Sequence, residues 1–195
     1  MKTLADAWNW YEATKQNLAR MQRLGERHWD DPSLAGASIW QDDLFRLLES
    51  PVIVAQARAS LNPIDDLAVV VLFSVFESRV RDYLIELIEP HAEKITDPIL
   101  KEAADDAMQG VQEGSFYRRV LEPLKKQDRI SADLITQVDQ VREYRNWVAH
   151  GQRDAPTNNV SPKMARDRLR EFLAALGITA ESEEEPPKQS GEVHE

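Results

Sequence analysis

The chain contains no cysteine, which rules out a disulfide framework, a thiol nucleophile and a cysteine zinc site. Histidine is almost as scarce, with four in 195 residues. No two of them stand at metal-ligand spacing on one helix face, and neither a metal nor a cofactor is expected. The seven glycines are too dispersed to form a phosphate-cradling loop. No uninterrupted apolar run approaches the roughly 20 residues of a membrane span, and the start, Met1-Lys2-Thr3-Leu4-Ala5-Asp6, lacks the apolar core of a signal peptide. No membrane partner and a cytoplasmic location are therefore expected. Positive charge is also in deficit, with 24 Lys and Arg against 34 Asp and Glu and a formal net charge of −10. That balance argues against a general nucleic-acid coat protein, whose affinity comes from neutralising phosphates.

What remains, 42% hydrophobic and 30% charged residues, fits one globular domain with a tail. The charge is unevenly placed. Six acids and one lysine between Ala180 and Glu195 supply half of the net negative charge, whereas residues 141–170 hold seven basic and three acidic side chains. Residues 1–178 are expected to form a single all-helical domain, with a helical N-terminal extension at 1–61 and a core at 62–178. The Glu/Pro/Ser-rich residues 179–195 have too little apolar surface to pack and should be disordered.

Helical spacing of Leu4, Ala7, Trp8, Tyr11, Leu18, Met21 and Leu24 predicts an amphipathic helix from 3 to about 26, with Gly25 weakening its end and a loop around Asp30-Asp31-Pro32. A second helix is expected around Ser38–Glu49, and the type of Val52–Leu61 stays open. Asn62-Pro63-Ile64-Asp65-Asp66 reads as cap, first residue and acidic first turn of a long helix running to Pro90. Its segment Leu67–Phe76 is apolar on most sides and belongs at the centre of a bundle. Asp97-Pro98 opens a short helix that Gly110 could end. Another follows from Gly114-Ser115, with Pro123 as a possible kink. Ser131 and Gly151 bracket a further helix, and Ser161-Pro162 and Gly177 bracket the last. In that last helix Ala165, Leu169, Phe172, Leu173 and Leu176 face inward.

The stretch with the most chemistry is Val141-Arg142-Glu143-Tyr144-Arg145-Asn146-Trp147-Val148-Ala149-His150-Gly151. Projected at about 100° per residue, Leu134, Val138, Val141, Arg145 and Val148 share one sector. A guanidinium on that face stays charged and is costly to bury alone. It needs either a carboxylate opposite it, with Glu77 the candidate and Arg81 beside it, or an anionic ligand. Arg145 and His150 point roughly 140° apart on a regular helix, whereas Asn146 and His150 share a face. Bringing all three together requires a frayed helix end, an Arg145 that bends round, or a two-fold axis, which is favoured because Tyr144 and Trp147 leave aromatic surface to cover.

Arg145-Asn146-Trp147-Val148-Ala149-His150 resembles the Arg-(polar)-x-x-x-His signature of the HEPN superfamily, all-helical domains that include endoribonucleases of toxin–antitoxin and phage-defence systems. The resemblance extends over roughly residues 63–177. It implies a HEPN-like up-and-down helical bundle that forms a homodimer and cleaves RNA in a shared cleft without a metal, with Arg145, Asn146 and His150 as the motif residues. Some toxins of the superfamily carry a tyrosine two residues after the histidine that a partner nucleotidyltransferase, acting as antitoxin, modifies; here that position is Gln152.

The residue types suit such chemistry. The 2′-hydroxyl of RNA can attack its own phosphodiester if protons are moved and the added negative charge is stabilised. Histidine, with an ordinary pKa near 6.5, serves the first need, and the arginine fork matches phosphate oxygens. Arg142 and Arg153 are candidates for substrate contacts, and Glu77 and Arg81 for support. The alternative is a non-catalytic HEPN scaffold that binds a partner protein or nucleotide through the same cleft.

Overall fold

The apolar run Leu67–Phe76 lies in the longest helix of the protein, and the other helices pack around it. The computed structural model describes residues 1–29, 31, 49–127, 129–152, 155–156 and 158–178, and every regular element among them is helical. In chain order these are α1 (Leu4–Arg27), α2 (Ser50–Leu61), α3 (Ile64–Ala92), α4 (Pro98–Glu113), a π-helical turn (Tyr117–Leu121) that runs into the short α5 (Glu122–Lys126), α6 (Ala132–Ala149) and α7 (Pro162–Ala175). The helix expected around Ser38–Glu49 and the acidic tail at 179–195 lie outside the described residues, apart from Glu49 itself.

α3 touches α1, α2, α4, α6 and α7, which is why its sequence is apolar nearly all round. Val69, Leu72, Phe76 and Val80 are completely buried. Around them four phenylalanines from three parts of the chain interlock: Phe73 and Phe76 of α3, Phe116 before the π turn and Phe172 of α7, with ring centroids 5.3 to 5.8 Å apart. Edge-to-face pairs of this kind contribute about 0.5–1.5 kcal/mol each beyond the area they bury. The inward residues expected of the last helix, Ala165, Leu169, Phe172, Leu173 and Leu176, are all buried. The nearly continuous helical stretch Ser50–Ala92 contains an 18-residue window of mean hydropathy 1.6. By length and composition it is apolar enough to cross a membrane, although charged residues interrupt its apolar run. One third of that window is buried against the rest of the protein.

Several boundaries differ from expectation for local reasons. Asn62 does not cap α3. It adopts helical angles (φ −58°, ψ −49°), its N–H donates to the Arg58 carbonyl, and Pro63 takes the cap position. α2, docked along α1, simply continues its path into α3. The two acids after it hold other elements: Asp65 accepts from Tyr11 Oη and Lys15 Nζ of α1. α3 runs past Pro90 to Ala92, because a proline in the final turn removes only one hydrogen bond. α4 passes Gly110 and ends at Gly114. The following helix begins as a π turn, which places Pro123 at the start of α5 instead of inside a helix it would kink.

α1 also runs past Gly25, which is buried two residues before the helix ends. A β-carbon there would lie 2.7 Å from both Ile53 Cγ2 and Val54 Cγ2 of α2. The carbonyl of Gly25 also accepts a hydrogen bond from Ser50 Oγ at 2.8 Å. The missing side chain is what lets the helices approach. Alanine in a helix normally gains about 0.5–1 kcal/mol over glycine, but here it must push two stiff β-branched side chains, at about 1–3 kcal/mol. Gly25→Ala should therefore lower the melting temperature by a few degrees in a circular-dichroism melt, at about 2–4 °C per kcal/mol for a chain of this size. A higher melting temperature would show that the helices do not need the bare backbone.

Candidate functional site

On α6 the side chains of Leu134, Val138 and Val141 are buried, and Arg145 follows them on the same face, half-buried. Its guanidinium lies over the Phe73 ring, 5.9 Å from the centroid. Among the described residues it makes one hydrogen bond, from Nη1 to Asn146 Oδ1 at 3.0 Å, and its Nε–H is buried without an acceptor. No described carboxylate forms an ion pair with it.

Glu77 shares the space that Arg145 faces but is engaged elsewhere. Arg81, one helical turn further along α3, donates from Nε (3.1 Å) and Nη2 (2.5 Å) to the same Glu77 oxygen, Oε1. Arg81 also donates to the Val111 carbonyl and, at 3.0 Å, to the Gly114 carbonyl. Four of its five N–H groups are thus used. Two neighbouring arginines therefore stand in opposite conditions: one with four of its five donors used, the other almost without partners.

Between α3, α6 and the turn after α4 lie two adjoining cavities, and Glu77, Arg81 and Arg145 line both. The first, about 240 Å³, is completed by Phe73, Phe116, Tyr117, Arg142, Asn146 and the backbone turn at Gly114-Ser115. The second, about 350 Å³ and more open, adds Ser74, Ser78, Asp82 and Gln112. In a chain of net charge −10, the first cavity presents three guanidiniums against one carboxylate. Arg142 is held there by Asp139 (Nε to Oδ1, 2.6 Å) and lies 5.5 Å from the Tyr117 ring centroid. Arg153 lies outside the described residues. A lining of this kind can receive an anionic oxygen at Arg145 and Asn146 and a flat group against the aromatic rings.

His150 is not among the lining residues of either cavity. It is the C-terminal cap of α6, exposed, with no side-chain partner among the described residues. It sits four residues beyond Asn146 on the same helix face, about 6 Å along the axis. Of the three ways to bring the motif together, fraying of the helix is not what occurs. α6 stays regular to Ala149 and closes in a Schellman turn, with Gly151 N–H to Val148 O (3.1 Å) and Gln152 N–H to Trp147 O (3.0 Å). Gly151 (φ +81°) and Gln152 (φ +56°) are both left-handed. The Arg145 head reaches the Asn146 amide, and no described contact joins either of them to the His150 side chain. Of the two aromatic residues expected to leave surface to cover, Tyr144 is buried and Trp147 is half-buried, their ring centroids 5.4 Å apart.

The motif end of α6 is fastened to the start of α3 by Asp66, whose Oδ1 accepts from Tyr144 Oη (2.7 Å) and whose Oδ2 accepts from Gln152 Nε2 (2.6 Å). The Asp66 clamp and the Phe116–Tyr117 wall were not anticipated from the sequence. Asp66 appeared only as a partner for the helix dipole, and its partners lie 78 and 86 residues away. Among the described residues no three His, Asp or Glu side chains gather as metal ligands.

Burial, followed by the hydrogen bond to Asp66, pushes the Tyr144 phenol up to about 12. Because the folded value is raised above the unfolded value of about 10, its contribution to stability is complete below pH 10 and is lost as the pH rises towards 12. Spectrophotometric titration should show one phenol fewer ionising near pH 12 in Tyr144→Phe than in the parent protein. A phenol of ordinary value at this position would contradict the burial. No family model, curated protein or solved structure matches the chain.

Proposed function

We propose that this protein is a metal-independent endoribonuclease of the toxin–antitoxin or phage-defence type, an all-helical HEPN-like domain acting as a homodimer on RNA. The reading rests above all on Arg145, a permanent cation with its Nε–H unpartnered, facing an open cavity beside Asn146 and aromatic rings. An exposed imidazole stands one helical turn away. In this reading the 2′-oxygen attacks the adjacent phosphorus while a base takes its proton. Arg145 and Asn146 bind the non-bridging oxygens as negative charge accumulates. The 5′-oxygen then departs with a proton from an acid, leaving a cyclic phosphate and a 5′-hydroxyl. His150 serves as acid or base, and the same residue of a second subunit is available for the other role. Exposed Leu67 and, two turns further along α3 at the larger cavity, exposed Ser74 and Ser78 offer a surface for that second copy. An adjacent-gene antitoxin, such as a nucleotidyltransferase, is a candidate partner.

One observation favours a second reading, a non-catalytic domain that binds a nucleotide or partner protein through the same cavity: His150 does not line it. The two readings separate in one experiment. Purified protein incubated with RNA in EDTA should cut it and leave cyclic phosphate ends. His150→Ala should lower the rate by about 10²–10⁴-fold and Arg145→Ala by about 10²–10³-fold. His150→Ala should leave the melting temperature unchanged, because its side chain has no partner among the described residues. RNA left intact under these conditions would sink the nuclease reading and leave the binding domain.

A further inference from the structure

We infer that Arg81 is a positioning residue that detains the Glu77 carboxylate, so that the Arg145 guanidinium stays open to an oxyanion of phosphoryl size. The inference rests on the reading above that Arg145 receives an anion.

Glu77 and Arg145 line the same two cavities. A carboxylate and a guanidinium match as a two-pronged pair, and their attraction is weakly screened where side chains are mostly buried. Such a pair would fill the anion position and leave the cavity without a free cation. It does not form. Two N–H groups of Arg81 hold Glu77 Oε1, with the Arg81 and Glu77 side chains only 15% and 21% exposed. Arg81 cannot follow Glu77 towards Arg145, because it is itself fixed at the end of α4. It donates to the carbonyls of Val111 and Gly114 there, in the region where a helix leaves its last carbonyls without internal partners. Its guanidinium also lies 5.4 Å from the Phe116 ring centroid. With four of five donors committed, Arg81 has little left for a ligand of its own.

The test follows the Nε–H resonance of Arg145 by ¹H–¹⁵N NMR, with inorganic phosphate as the probe. In the parent protein, added phosphate should move this resonance to saturation. In Arg81→Met the freed Glu77 should engage Arg145, displacing the resonance before any phosphate is added and weakening phosphate binding by about tenfold or more. The double variant Glu77→Gln/Arg81→Met should return the resonance and restore affinity to within about threefold of the parent. A purely structural or directly binding Arg81 would not be rescued by changing Glu77. Should Arg81→Met unfold, Arg81→Gln, which can still donate to a carbonyl but carries no charge to hold Glu77, takes its place with the same expected order. An unshifted resonance in the phosphate-free Arg81 variant, or a double variant no better than the single one, overturns the inference. Phosphate that fails to move Arg145 in the parent protein overturns the anion reading instead, while the phosphate-free comparison still decides whether Glu77 is detained.

Discussion

A guanidinium keeps its charge at every pH a folded protein meets, so an arginine on the inner face of a helix dictates what surrounds it. Arg145 occupies such a position on α6, in line with Leu134, Val138 and Val141. Its neighbourhood gives it an aromatic face in Phe73, one amide oxygen in Asn146 and an opening, but no ion pair with a described carboxylate, since Glu77 beside it is held by Arg81. Phe73 and Phe116 belong both to the interlocked core rings and to the cavity wall. The apolar packing that stabilises the fold therefore also sets the floor on which the free cation rests.

α3 has a second role besides filling the core. Its first-turn carboxylates point to two sides: Asp65 to Tyr11 and Lys15 of α1, Asp66 to Tyr144 and Gln152 at the end of α6. Its middle carries Glu77 and Arg81 to the cavity. The rotational setting of this helix thus fixes, together, the N-terminal helix, the turn that bears His150 and the charge pair beside Arg145.

Much of the helical plan was legible in the sequence. Ser131, Ser161, Gly151 and Gly177 mark helix ends as their chemistry requires, and the apolar stripe of α7 was read residue by residue. Two of the misplaced features share a cause, in that each depends on a neighbour distant in the chain. Gly25 looked like a weak helix end because Ile53 and Val54, which need its missing side chain, lie nearly thirty residues on. Asn62 looked like a cap because the docking of α2 on α1 was not visible. Glu77 was the reverse case. Its partner Arg81 stands four residues away, a spacing that favours pairing on any helix, whereas the expectation looked across the bundle to Arg145.

The grip of Arg81 on the last carbonyls of α4 ties two places that the chain order keeps apart. Because one guanidinium spans both the helix end and Glu77, α4 cannot pull away from α3 without breaking the two carbonyl bonds that anchor the Arg81 head. The outer helix is thereby a tether on the cavity's electrostatics: whatever tugs at it loosens the anchor of the group that holds the Glu77 charge.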